Sequence, residues 1–124
     1  MNPNDYLGKT YAPPPCWGLV RDVILTELGL TVTDFRTVNN SAREAASAFD
    51  IGVRKNADGF AEIDTPVDLC VVLMSKLQGT KIHHAGIYFQ GSVLHALDSG
   101  VVYQDMASLG DLYRRMEFWT RPAP

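Results

Sequence analysis

Apolar residues follow two different rhythms along this chain. Early on, Leu19, Val20, Val23, Ile24 and Leu28 recur at helical spacing. Pro13, Pro14 and Pro15 precede them, and proline is tolerated at a helix's first position but not in its interior. Gly29 supplies a natural stop. The pattern predicts a helix over residues 16–28. Ser41 with Glu44 forms a capping-box pattern ahead of an alanine-rich stretch, which predicts a second helix over 42–49. Gly52, Asn56, Asp58 and Gly59 mark 50–59 as loop. The second half changes to short apolar runs separated by turn residues. Segments 69–74, 83–89, 92–97 and 101–104 read as strands, then a short helical turn over 109–114 capped by Ser108, and a last strand over 116–120. Helices followed by a strand meander imply an α+β domain, with the helices packed on one face of an antiparallel sheet.

At 124 residues the chain is read as one domain over 1–124, with 1–15 an extended amino-terminal segment. Hydrophobic residues make up 46% and charged residues 20%, which suits a globular core rather than long disorder. A formal net charge of −3 and the lack of any Lys/Arg run give no electrostatic reason to expect nucleic acid or an anionic membrane. No stretch approaches the length of a membrane span. The first 15 residues lack the basic lead-in and apolar core of a signal peptide, so synthesis and initial retention in the cytoplasm are expected. Cys16 and Cys70 are the two cysteines, and without an export signal they read as free thiols. Cys70, inside Asp68-Leu69-Cys70-Val71-Val72-Leu73-Met74, reads as core.

Cys16 is the residue with chemical promise. In the first turn of a helix, unpaired N–H groups and the helix dipole favour a thiolate, the form that attacks carbonyls. His83, His84 and His95 all fall in one predicted hairpin with Gln90-Gly91 as its turn. That register pairs Phe89 with Ser92, sets Gly86 opposite His95 and His84 opposite Leu97, and leaves His84 and His95 on one face within reach of each other. His83 points to the other side. A cysteine with one histidine to take its proton, and a second polar group to orient that histidine, is the arrangement of a cysteine nucleophile. Gly86, lacking a side chain, would leave room between the histidines. The same residues also admit plainer readings: a core cysteine beside scattered histidines, or a zinc site built from Cys16, His84 and His95.

Cys16-Trp17-Gly18-Leu19-Val20, His84-Ala85-Gly86-Ile87-Tyr88 and Val93-Leu94-His95-Ala96, in this order and spacing, resemble the NlpC-like cysteine peptidases. These are papain-like hydrolases that cut peptidoglycan stem peptides. The resemblance covers about residues 6–121. It implies a papain-like fold, with Cys16 as nucleophile, His84 as general base and then acid, and His95 as the orienting residue. It implies no cofactor and no metal. Tyr11 is the nearest candidate for a tyrosine that often lines the family's site, and Trp17 and Tyr88 flank site residues as candidate substrate contacts. Trp17 after the cysteine, Leu7-Gly8-Lys9 and Phe118-Trp119-Thr120-Arg121 look like the version found in phage tail proteins. That likeness implies a tail-tip peptidase carried in the virion, with a stem peptide and other tail-tip proteins as partners. Pro15 stands where the family commonly has aspartate, the loop before it is short, and Val67-Asp68 replaces the usual Gly-Asp. Those departures motivate the alternative of a structural tail-tip protein that plugs the tail tube with little or no hydrolysis.

Overall fold

The computed structural model describes residues 1–32, 59–76 and 82–121. The expected helix over 42–49 and almost all of the loop over 50–59 lie outside them. The first helix, α1, runs Pro15–Leu28. Pro15 occupies its first turn, and Gly29 ends it at φ 67°, where its N–H reaches the Ile24 and Leu25 carbonyls. Six strands follow: β1 Ala61–Ile63, β2 Val71–Ser75, β3 His84–Phe89, β4 Ser92–Leu97, β5 Gly100–Asp105 and β6 Arg115–Thr120. A short helix α2, Met106–Leu112, joins the last two. The described residues thus form an α+β fold of two helices and a six-stranded sheet in the order β1-β6-β2-β3-β4-β5, with antiparallel pairing throughout.

Two expectations change. Helices cover both faces of the sheet, not one. α1 packs on the face carrying Val71, Leu73, Ala85, Ile87, Leu94 and Ala96. On the other face Leu109 of α2 joins Val72, Met74, Val93 and Tyr113. The continuous apolar run of β2 follows, since a central strand covered on both sides has no solvent face to alternate with. The helical turn starts earlier than predicted, because Asp105, not Ser108, caps it. The Asp105 carboxylate accepts the Ser108 N–H at 3.0 Å and the Ser108 hydroxyl at 2.8 Å. The last strand, β6, is internal, lying between β1 and β2. β1 itself is too short and too exposed to leave a pattern in the sequence.

The amino-terminal segment is not simply extended. Pro3–Asp5 form a 3₁₀ turn, and Tyr6 is buried with its hydroxyl donating to Glu27 of α1 at 2.8 Å. Tyr11 donates to Asp22 at 2.6 Å, and Lys9 pairs with the same carboxylate at 3.1 Å. Gly18 makes this docking possible: a Cβ there would stand 2.9 Å from Cβ of Tyr11. Cys70 is buried as expected, and both thiols are free.

Candidate active site

The β3–β4 hairpin has the predicted register, with Phe89 opposite Ser92 and both turn residues at positive φ, Gln90 at 49° and Gly91 at 86°. This is the turn whose twist matches that of the strands. Met74 pairs with His84 and Val72 with Gly86, so His84 lies on the α2 face. Val93 puts His95 on that face as well. The two rings meet edge to face, centroids 5.1 Å apart, with His84 Nε2 2.9 Å from His95 Nδ1. Gly86 serves this contact differently from the expectation. The space above it is filled, not open: a Cβ would lie 2.7 Å from Val93 Cγ1, 2.8 Å from the Leu94 carbonyl oxygen and 3.1 Å from His95 Cβ. Glycine is needed so that β4 can press close enough for the rings to touch. His83 is half-buried just before β3, its Nε2 accepting the Lys76 N–H at 3.3 Å.

Cys16 belongs to the core under α1, on the opposite face of the sheet from the histidine rings. The β3–β4 ladder is paired from Phe89/Ser92 to Ile87/Leu94 and stops there. Beyond that last pair, the Ala85 N–H faces the Cys16 sulfur, as do the N–H groups of Trp17 and of Cys16 itself. The helix's first internal bond is Gly18 N–H to the Pro14 carbonyl at 3.3 Å, so the Cys16 and Trp17 N–H groups lie ahead of the intrahelical ladder. Tyr113 links the two sides. Its ring stacks on His84 at 5.4 Å and 9°, and burial, followed by its proximity to Cys16, raises its hydroxyl above the ordinary tyrosine value. The hydrogen bonds of the described residues include none between Cys16 and His84.

Burial governs the protonation states. Cys16 is 5% exposed, His84 8% and His95 1%. Burial raises the Cys16 thiol to about 11, outweighing the backbone N–H groups that favour the thiolate. The expected helix-start thiolate is therefore overridden, and the resting group is a neutral thiol. Burial, reinforced by the positive charges of His95, His83 and Lys76, lowers His84 to about 3. Burial also depresses His95, against the opposing effect of its hydrogen bond to Gln104. Both rings are neutral at physiological pH.

The remaining predicted contacts are less central. Trp17 is 1% exposed and sealed in the core, so its ring offers no surface to a substrate. Tyr88 lies half-buried on the α2 face, packed against the cluster of Val72 and Met74. Tyr11 is held by Asp22, yet it lines a cavity of about 220 Å³ together with Lys9, Pro15, Leu97 and Asp98. Pro15 is the neighbour of Cys16, so this cavity adjoins the helix start. No group of three or more His, Cys, Asp or Glu side chains among the described residues is arranged to hold a metal ion, which leaves the zinc reading without support. None of the described helices is long and apolar enough to cross a membrane.

Two residues of the site escaped the sequence reading. Gln104 Oε1 lies 3.1 Å from His95 Nε2 and accepts its hydrogen. Extending the hairpin logic to the next turn would have found it, because Val93 opposite Gln104 and His95 opposite Val102 set all of them by parity. Tyr113 had no such signal, since its position depends on how α2 returns the chain to β6. No known family model matches the chain, and no curated protein matches it.

Proposed function

We propose that the protein is a cysteine peptidase of papain-like, NlpC-type architecture that cleaves an amide bond in peptidoglycan stem peptides, acting at a phage tail tip during wall penetration. The observation that carries this reading is the 2.9 Å contact of His84 Nε2 with His95 Nδ1 beside a cysteine whose sulfur faces the Ala85 N–H. The contact leaves His84 Nδ1 outside the histidine pair and free to act as a base. In the proposed cycle the Cys16 thiol gives its proton to His84 Nδ1 as the sulfur attacks the carbonyl carbon. Backbone N–H groups at the Cys16 helix start stabilise the oxyanion. His84 then protonates the leaving amine; water, giving a proton back to His84, attacks the thioester, and the released Cys16 sulfur regains that proton from His84.

Burial limits how this works. It holds the proton on the Cys16 thiol and off the His84 imidazole, so proton transfer between them is uphill in the closed site. The buried arrangement is therefore a resting one, and turnover requires substrate dipoles or water to reach the pair beneath Tyr113. The cavity beside Pro15, next in sequence to Cys16, offers a space from which a peptide could approach.

The same burial favours a second reading, a structural tail-tip protein that keeps the fold, plugs the tail tube and binds neighbouring tail subunits. Digestion of purified sacculi separates the two. The peptidase reading predicts soluble muropeptide fragments from the wild type and none from folded Cys16→Ala. Equal release by the two proteins, or none by either, removes Cys16 catalysis.

A further inference from the structure

We infer that Gln104 is a positioning residue that fixes the tautomers of both buried histidines and thereby presents His84 Nδ1 as a proton acceptor. The inference rests on the reading of His84 as the base, yet tautomers can be observed whether or not the protein hydrolyses anything.

The tautomers follow from a proton count along three side chains. Gln104 turns its amide oxygen, Oε1, to His95 Nε2 at 3.1 Å. A carboxamide oxygen only accepts, so His95 Nε2 must carry the hydrogen. A neutral imidazole has one N–H, which leaves His95 Nδ1 as a lone pair. That lone pair faces His84 Nε2 at 2.9 Å, so the hydrogen in this contact belongs to His84. His84 has then spent its one N–H, and its Nδ1 is unprotonated. The order of donors is His84 to His95 to Gln104.

The fold enforces the chain of contacts. His95 faces Val102 directly across β4 and β5, and Gln104, two residues farther on the same face, reaches it diagonally. His95 is 1% exposed, so water has little access to compete for its ring nitrogens. The residues acting electrostatically on His84 are His95, His83 and Lys76, and the ring of Tyr113 covers it. None of these is an anion at neutral pH. A neutral acceptor at the end of the chain sets direction with less pull toward imidazolium than a carboxylate in the same position would exert.

Two-bond ¹H–¹⁵N spectra of the folded protein near neutral pH test this, with His83→Gln used to assign the third histidine. Nε2–H tautomers are expected for both His84 and His95. Gln104→Leu should convert His95, and with it His84, to a mixed or Nδ1–H population. Gln104→Glu should restore Nε2–H and raise the titration midpoint of His95 by about one unit or more. Nδ1–H on either ring of the wild type overturns the inference, as do unchanged tautomers in folded Gln104→Leu. Should that variant not fold, the wild-type spectrum decides alone. Nε2–H tautomers in a protein that digests no sacculi would sustain the inference while removing the peptidase reading.

Discussion

Acidification should weaken this fold well above the pH at which carboxylates protonate, because the histidine pair is neutral only while it is buried. His84 has an ordinary value of 6.5 when the chain is unfolded and about 3 when folded. Between those values the unfolded state binds the extra proton, so stability is retained above about pH 6.5 and lost as pH falls toward 3. At about 1.4 kcal/mol per unit, His84 alone accounts for roughly 2 kcal/mol between pH 7 and pH 5. Burial depresses His95 in the same direction, which adds to the loss. Against a total of about 5–15 kcal/mol for a domain this is a large fraction. Urea unfolding at pH 7, 6 and 5, with an unchanged dependence on urea, measures it. His84→Gln should start less stable at pH 7 and show a slope flatter by roughly 2 kcal/mol over that interval. A wild type whose stability stays within about 0.5 kcal/mol from pH 7 to 5, or a variant with the same slope, would refute burial as the cause.

Other consequences follow from the same geometry. Iodoacetamide should label Cys16 slowly at neutral pH and faster as pH approaches 11, since burial holds the thiol protonated; rapid labelling of the folded protein at pH 7 would contradict this. Tyr113→Ala, which uncovers His84, should speed that labelling, whereas Tyr113→Phe keeps the stack and should not. Gly86→Ala should cost at least about 1–3 kcal/mol by thermal or urea unfolding, because the Leu94 carbonyl oxygen, 2.8 Å from the added Cβ, is backbone and cannot swing aside. Asp105→Ala should cost about 1 kcal/mol through the lost cap of α2, and an unchanged melting temperature would count against Asp105 as the cap.

The residues most legible in the sequence are those whose positions follow from local chemistry. The prolines and Gly29 bound α1, and Gln90-Gly91 set a hairpin register that brings His84 and His95 onto one face. Parity is a strict rule, so the histidine contact can be read from the sequence itself. Cys16 shows the opposite case. Its position at the helix start is legible, but its protonation state is not, because desolvation depends on the core packed around α1. The helix-start effect is worth at most about 2 kcal/mol, and burial reverses it. Gly86 reads as open space yet is a point of contact, since the absence of a side chain does not say what fills the gap. The second helical face leaves little trace for a related reason: α2 is short, and Leu109 is its one buried residue.

Central to the proposed mechanism is a covalent acyl intermediate on Cys16, formed with His84 as the base. Mixing the wild-type protein with a soluble stem peptide, quenching in acid and mapping the mass shift by peptide digestion tests it most directly. An acyl adduct is expected on the peptide containing Cys16, absent from Cys16→Ala and strongly reduced in His84→Gln. Hydrolysis that proceeds equally in folded Cys16→Ala, or a folded wild type that yields neither adduct nor cleaved peptide, would contradict it.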